Sequence, residues 1–216
     1  GARDARGRGD CRTDEEAERV RSLGAPAERV HVTGNTKFDA LVPASEAPQD
    51  ETLRRALGLT ATDRVLILGS THEGEEELLI RAWHTLRAEF ADLKLVIAPR
   101  YIDRTARVVE LVRQTGVAVG LRSQGVGADV PCVVLDTIGE LSRAYRLATV
   151  VFVGGSFTTR GGQNILEPAA QGKPVLFGPN MQNFADSVQI LVGRGGIQVN
   201  DEAHLVRVMR DLLARP

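Results

Sequence analysis

The fold follows from residues 65–74, which read Val-Leu-Ile-Leu-Gly-Ser-Thr-His-Glu-Gly and lead an apolar run directly into a turn of small and polar residues. Such a run is typical of a strand that is buried on both faces. Further apolar runs follow, separated by longer stretches with helical patterning. They occupy residues 93–98, 132–135, 149–153 and 174–177. This alternation of strand and helix predicts an α/β protein built on a parallel sheet.

Amphipathic periodicity predicts helices between and after these runs. Each has apolar side chains at three- and four-residue steps, so that one face would pack on the sheet. The predicted inward-facing residues are Leu79, Ala82, Trp83, Leu86 and Phe90 in the first helix, Ile102, Ala106, Val109 and Val112 in the second, and Leu205, Val208, Met209 and Leu212 in the last, at 201–214.

Composition places the chain among ordinary globular proteins. Of its 216 residues, 43% are hydrophobic, 25% are charged and 22 are glycine. The formal net charge is −1, and aromatic residues do not alternate with basic runs, so the sequence indicates no nucleic-acid partner. Cys11 and Cys132 are too far apart for a zinc motif. No apolar run approaches the ~20 residues that span a bilayer.

The first 50 residues differ from the rest. They contain a predicted helix at 14–23 with Thr13 as its N-cap, a short strand at 29–33, a turn at 34–39 and a linker-like stretch at 43–49. We therefore predict two parts, residues 1–50 and residues 51–216. Because the sequence opens with Gly1 and has no signal-peptide pattern, we expect it to be cut from a longer protein.

In open parallel sheets, ligands bind beyond the carboxyl ends of the strands, where the loops converge. At the first such turn, Ser70 or Thr71 can cap the following helix, or the small residues can leave main-chain N–H groups free for an anion; the residue types support both interpretations equally. His72, Glu73 and Glu76 lack the second histidine of a zinc-binding helix, so we expect no metal.

The next two turns offer a cation and a carboxylate. Arg100 follows the second strand, and its guanidinium can bind a phosphate or carboxylate ligand or pair with Asp103. After the third strand, Gly139 allows close backbone approach and Glu140 can accept hydrogen bonds from a ligand, while in the alternative Asp136 only caps the next helix.

The fourth turn, residues 154–168, reads Gly-Gly-Ser-Phe-Thr-Thr-Arg-Gly-Gly-Gln-Asn-Ile-Leu-Glu-Pro. Two glycine pairs flank a short loop, and Asn164 is predicted to begin a helix that has Glu167 at its fourth position. Helix amides at a glycine-rich loop can bind an anion, and Glu167 can hold a ribose diol. The alternative is a flexible loop before a capped helix.

Three common signatures are missing from the sequence. It contains no G-x-G-x-x-G after a strand, no P-loop and no G-x-S-x-G. Dehydrogenase, P-loop and hydrolase functions are therefore disfavoured.

Six motifs in order resemble the 3-deoxy-D-manno-octulosonic acid (Kdo) transferase family. They are Gly-Asn-Thr-Lys-Phe-Asp at 34–39, Ser-Thr-His-Glu-Gly-Glu at 70–75, Pro-Arg at 99–100, Asp-Thr-Ile-Gly-Glu-Leu at 136–141, Gly-Gly-Ser at 154–156 and Gly-Gly-Gln-Asn-Ile-Leu-Glu-Pro at 161–168. The resemblance implies a GT-B glycosyltransferase with two Rossmann-like domains. Residues 51–216 resemble its C-terminal donor-binding domain, a parallel sheet with helices on both faces, and residues 1–50 resemble the end of the N-terminal acceptor domain and a linker.

The resemblance also implies an activity and a site. The activity is transfer of Kdo from CMP-Kdo to a lipid A precursor, with inversion and without a metal or cofactor. The implied CMP pocket consists of Pro99, Arg100, Ile138, Gly139, Glu140, Asn164, Ile165, Leu166 and Glu167. Further substrate-binding candidates are Lys37, Ser70, Thr71, His72, Gly155, Ser156 and Gln163. Arg100 and the amides near Asn164 would bind phosphate, Glu167 the ribose, and the 138–140 backbone the base.

The chain departs from the family at two places. Gln163 stands where the family usually has histidine, and Tyr101, Ile102 and Asp103 interrupt a Pro-Arg-His-Pro-Glu-Arg stretch, so we expect the sugar side of the donor site to vary. Alternatives are a GT-B enzyme that uses another nucleotide sugar and a non-catalytic nucleotide-binding module.

The resemblance further implies that the general base is a glutamate of the N-terminal domain. That domain also has the acceptor groove and the membrane anchor in the family. We therefore expect no catalytic residue in this chain, and association of the whole enzyme with the cytoplasmic face of the inner membrane through its N-terminal part.

Overall fold

The computed structural model describes residues 9–11, 18–19, 21–23, 26, 30–32 and 50–215. The chain divides into two compact units, residues 1–42 and 43–216. In the first unit, strands β1 (Gly9–Cys11) and β2 (Val30–Val32) pair in parallel, and β2 falls within the predicted strand at 29–33. The Thr13 cap, the turn at 34–39, Lys37 and the linker-like stretch lie outside the described residues, and the boundary near residue 50 stays a prediction.

A seven-stranded sheet forms the second unit, and all its strand pairs are parallel. Its order is β5-β6-β4-β3-β7-β8-β9. The strands are β3 (Arg64–Thr71), β4 (Leu93–Pro99), β5 (Val119–Leu121), β6 (Cys132–Val134), β7 (Val150–Val153), β8 (Val175–Phe177) and β9 (Gly196–Gln198). The predicted α/β fold with a parallel sheet is confirmed.

Helices follow the strands and fall into two groups by their mutual contacts. They are α1 (Glu51–Ala56), α2 (Glu76–Arg87), α3 (Thr105–Gln114), α4 (Leu141–Tyr145), α5 (Leu166–Ala170), α6 (Ala185–Leu191) and α7 (Glu202–Ala214). Helix α2 packs against both α3 and α7, whereas α1, α4, α5 and α6 contact one another in sequence order. Asp201 caps α7 by accepting a hydrogen bond from the His204 N–H at 2.7 Å. Among the described residues, no helix has the length and apolar character needed to cross a membrane.

The core confirms two of the three predicted helix faces, the last with a shift. In α2, Leu79, Ala82, Trp83 and Leu86 are buried as predicted, and half-buried Phe90 packs on the core beyond the helix end. In α7, Leu205 and Met209 are buried, but the third fully buried position is Leu213, while Val208 and Leu212 are half-buried.

The predicted face of α3 is correct at Val112 but wrong at Ile102 and Ala106. A 3-10 turn at Ile102–Arg104 precedes the helix, which begins only at Thr105. The buried residues are Val108, Leu111 and Val112, whereas Ile102 and Ala106 are exposed and Val109 is half-buried. The extra turn rotates the helix relative to the predicted stripe.

Because every strand is parallel, the turns after β3, β4, β6 and β7 all leave the same edge of the sheet, which we call the carboxyl edge. Strand β3 lies between β4 and β7, so its turn is flanked by theirs. The four predicted site segments are therefore collected on one edge by topology alone.

Candidate functional site

The turn after β3 differs from the prediction of a simple capped helix. The strand continues to Thr71, with a pairing irregularity between Gly69 and Thr71 and with Ser70 in the left-handed region at φ 54°. Helix α2 begins at Glu76 without a side-chain cap. The proposal that Ser70 or Thr71 caps this helix is therefore wrong, because four residues separate the end of the strand from the helix.

A buried carboxylate organises this turn. Glu75 is fully buried, and it accepts hydrogen bonds from the main-chain N–H groups of His72 at 3.0 Å, Gly155 at 2.6 Å and Phe157 at 3.2 Å. Burial raises the pKa of the Glu75 carboxyl, although these three donors oppose the rise. Glu75 thus fixes the turn after β3 to the loop after β7.

A second buried carboxylate anchors the turn after β4. Glu76 is fully buried and pairs with the Arg104 guanidinium at 2.5 Å, and the Thr71 hydroxyl donates to the same carboxylate at 3.2 Å. Exposed Glu73 adds a longer ion pair to Arg104 at 3.4 Å. The described residues contain no group of three or more His, Cys, Asp or Glu side chains placed to hold a metal ion.

His72 lies at the centre of the carboxyl edge and is buried. Its Nε2 atom is 3.2 Å from Nε2 of Gln163, and its ring meets the Tyr101 ring edge-on with centroids 5.7 Å apart. Burial lowers the pKa of His72, and the positive charges of Arg160 and Arg100 lower it further. The imidazole is therefore neutral at pH 7.

We expect this lowered pKa to appear in the stability of the domain. Between the folded pKa and about 6.5, the unfolded chain binds a proton at His72 that the folded chain does not, so the free energy of unfolding falls as the pH drops through this range. Urea unfolding of wild type and His72→Gln at a series of pH values measures the effect. A smaller loss on acidification in the variant supports it, and an identical loss in both proteins contradicts it.

Arg100 is exposed at the end of β4. Its main-chain N–H donates to the Thr71 carbonyl at 2.9 Å, and its guanidinium lies over the Tyr101 ring, 5.6 Å from the centroid. Within residues 50–215 it has no ion pair with a carboxylate, so the alternative of pairing with Asp103 is wrong. The charge of Arg100 is available to a ligand.

Arg160 is a second cation at this edge, and it is not among the site residues predicted from the sequence. It is exposed in the loop between the glycine pairs and has no carboxylate partner in the part of the chain that the structure describes. Its carbonyl accepts from the Asn183 side chain at 3.0 Å. Its position between Gly155 and Gly161 was the signal in the sequence that could have identified it.

The carboxylates of the turn after β6 already bond to other residues of the protein. Glu140 pairs with Arg122 at 3.0 Å and also accepts from the Thr137 hydroxyl. Asp136 accepts from Ser123, from its N–H at 2.8 Å and its hydroxyl at 2.5 Å, and α4 begins only at Leu141. The alternative that Asp136 caps this helix is therefore wrong.

The tip of the same turn is open. Ile138 is 87% exposed, and Gly139 has a φ of 85°, a conformation that glycine adopts without strain. Backbone at 138–139 is thus accessible to a ligand, as the sequence analysis requires, whereas the Glu140 carboxylate already has protein partners.

In the fourth turn, Asn164 precedes the helix N-cap, Ile165, which has no side-chain cap hydrogen bond. Helix α5 begins at Leu166, two residues later than predicted, and Asn164 Oδ1 accepts from the Leu166 N–H at 3.1 Å. Ile165 and Leu166 are buried, and Glu167 is half-buried in the first turn. The exposed side chain of this group is that of Asn164.

Three further predicted site residues are buried. The Ser156 hydroxyl is fully buried; it donates to the Val153 carbonyl at 2.7 Å and accepts from the Gly178 N–H at 2.8 Å. Pro99 is the buried last residue of β4. Gly155 has a φ of 71°, and a Cβ there would lie 3.2 Å from the His72 ring.

The structure joins part of the predicted site by direct contact. Arg100, Tyr101, His72 and Gln163 form a continuous line across the turns after β4, β3 and β7, which we call the His72 cluster. Asn164 follows Gln163 directly. The 138–140 turn shares the carboxyl edge with the cluster through the pairing of β6 with β4.

Comparison with known proteins finds several relatives named 3-deoxy-D-manno-octulosonic acid transferase. The chain is 34% identical over 200 residues to a 3-deoxy-D-manno-octulosonic acid transferase of Chlamydophila psittaci, covering 92% of this chain and 45% of the relative. It is 33% identical over 213 residues to the enzyme of that name from Bordetella pertussis, covering 95% and 48%. The chain thus spans about half the length of the curated relatives it matches. No protein-family model matches it.

A solved structure agrees with these relatives. It is described as the C-terminal CMP-Kdo binding domain of WaaA from Acinetobacter baumannii, and it matches with a TM-score of 0.71 and 28% identity over 77% of this chain and 88% of that one. The resemblance that the six sequence motifs indicated is confirmed.

Proposed function

We propose that this chain, which belongs to the Kdo transferases and corresponds to their C-terminal domain, binds CMP-Kdo and supplies the donor site for transfer of Kdo to a lipid A precursor. The observation that carries the proposal is Arg100. Its guanidinium has no carboxylate partner in the described part of the chain and stands at the carboxyl edge of a parallel sheet, where ligands of such folds bind.

The chemistry follows from the charge that the donor develops. When the bond between Kdo and CMP breaks, negative charge grows on the departing CMP phosphate. Arg100 and main-chain N–H groups at the glycine-rich turns would stabilise it, with Arg160 contributing a second positive charge nearby. In this role they supply electrostatic stabilisation that needs no metal ion.

Acceptor activation needs a separate group. A general base must come within hydrogen-bond reach of the acceptor hydroxyl, but Glu75, Glu76 and Glu140 already bind protein groups. We therefore assign the general base, the acceptor site and membrane association to the N-terminal domain, as the resemblance implies. The whole enzyme would then lie at the cytoplasmic face of the inner membrane, bound through that N-terminal domain.

Calorimetry with CMP, UDP and GDP tests the proposed donor. We expect CMP to bind most tightly to the 216-residue polypeptide, and we expect this polypeptide to give no Kdo transfer on its own. Preferential binding of UDP or GDP would point to a GT-B enzyme with another donor, and robust transfer would place the base within this chain.

Arg100→Ala should weaken CMP binding by about 1.5 to 3 kcal/mol, the contribution of a hydrogen bond to a charged group. This corresponds to a rise in Kd of roughly 10- to 150-fold. Calorimetry on the variant measures this rise in Kd. The matched control is Arg113→Ala, because Arg113 is an exposed arginine in the last turn of α3. An Arg100→Ala protein that binds CMP as tightly as the control would remove Arg100 from the site.

A further inference from the structure

Beside the Arg100 guanidinium lies an aromatic ring, and no carboxylate within residues 50–215 pairs with it. The guanidinium is 5.6 Å from the centroid of the Tyr101 ring. A carboxylate partner would hold the side chain but would compete with an incoming anion. The face of an aromatic ring attracts a cation through its quadrupole and leaves the net charge intact.

The Tyr101 ring is supported by a contact with the ring of His72. Its side chain is 51% exposed, but its ring meets the buried His72 ring at 83°, the edge-to-face arrangement that aromatic pairs prefer. The Glu75 carboxylate fixes the backbone of His72, and Gln163 is hydrogen-bonded to the imidazole. The Tyr101 ring is thus supported by residues of the turns after β3 and β7.

The backbone on both sides of the ring is also fixed. The Arg100 N–H donates to the Thr71 carbonyl at 2.9 Å, and the Arg104 N–H donates to the Tyr101 carbonyl at 3.1 Å. The ion pair between Arg104 and fully buried Glu76 then anchors the far end of the same turn. The Arg100 side chain itself is exposed, and the Tyr101 ring lies beside its guanidinium.

We propose that Tyr101 is a positioning residue that holds the Arg100 guanidinium over the carboxyl edge in the orientation that an anionic ligand requires. This proposal deepens the proposed function and rests on it for the identity of the anion. The aromatic ring is the active feature, and the hydroxyl is dispensable. Since the ring is half exposed, its removal leaves the hydrophobic core unchanged.

The test compares Tyr101→Leu with Tyr101→Phe, and uses Ile102→Ala as the control for loss of an exposed apolar side chain in the same turn. Calorimetry should show CMP binding about two- to fivefold weaker in Tyr101→Leu, the size of an exposed cation–π contact. Tyr101→Phe and Ile102→Ala should bind CMP as wild type does. In the Arg100→Ala background, Tyr101→Leu should cause no further loss.

A second readout needs no ligand. Nitrogen-15 relaxation of the Arg100 Nε–H group should report an ordered side chain in wild type and Tyr101→Phe, and a mobile one in Tyr101→Leu. Equal order in all three proteins would overturn the proposal, as would a Tyr101→Leu binding loss that persists without Arg100 or that Ile102→Ala reproduces. If wild type fails to bind CMP, the proposed function is wrong, and the relaxation data alone decide the positioning role.

Discussion

Replacing Glu75 by Ala is expected to destabilise the domain by about 3 to 5 kcal/mol, because three main-chain N–H groups, two buried and one half-buried, lose their acceptor. Each orphaned group costs about 1 to 3 kcal/mol before local rehydration. The groups belong to His72, Gly155 and Phe157. Glu75→Gln should cost less stability than Glu75→Ala, since the amide oxygen still accepts hydrogen bonds. Some loss remains, because the amide nitrogen then faces a main-chain N–H donor.

Urea unfolding followed by circular dichroism measures this loss. Glu73→Ala is the matched control, because Glu73 lies two residues away in the same turn but is 81% exposed and makes only a long ion pair to Arg104. An exposed pair of this kind contributes about 0 to 1 kcal/mol. If Glu75→Ala and Glu73→Ala lower the free energy of unfolding equally, Glu75 does not organise the site.

Gly154→Ala should cost about 3 kcal/mol, the upper end of the range for overpacking. A Cβ at this position would lie 2.5 Å from the Ser70 carbonyl oxygen, 2.6 Å from Glu75 Oε1 and 2.7 Å from Thr71 Cα. Two of these neighbours are backbone atoms of the adjoining turn, so relief requires the turns after β3 and β7 to separate. We expect CMP affinity to fall together with stability.

The matched control for this change is Gly127→Ala. Gly127 is exposed, and the only group within 4 Å of a Cβ there is the exposed Asp129 carboxylate, at 2.7 Å, which can rotate away. Thermal and urea unfolding should leave this control near wild type. A Gly154→Ala protein as stable as Gly127→Ala would mean that the close approach of the two turns has no energetic weight.

The fold could be predicted where buried residues recur in the sequence at the regular spacing of a strand or a helix. Strand β3 and helix α2 are long and buried in a regular pattern, and both could be predicted from the sequence. Strands β5 and β9 were missed because each has three residues at an edge of the sheet, and the residues of β5 are only half-buried, so no continuous apolar run marks them. The register of α3 was missed because a 3-10 turn precedes it.

The site was predictable only in part, for a related reason. Arg100 could be identified because Pro99 ends a strand, which is a local signal. The role of Glu75 could not, because the Gly155 N–H that it binds is 80 residues away along the chain. The contact between Tyr101 and His72 likewise depends on which strands are neighbours. The motif places Ser156 in the site, but its buried hydroxyl bonds to the main chain of Val153 and Gly178.

The most direct test of the account is a titration of nitrogen-15-labelled protein with CMP, followed by amide chemical shifts. The account predicts that Arg100, Gly139 and Asn164 shift together and saturate at one common Kd, since their turns share the carboxyl edge. Amide shifts confined to other surfaces, or different apparent Kd values for the three residues, would contradict a single nucleotide site at this edge.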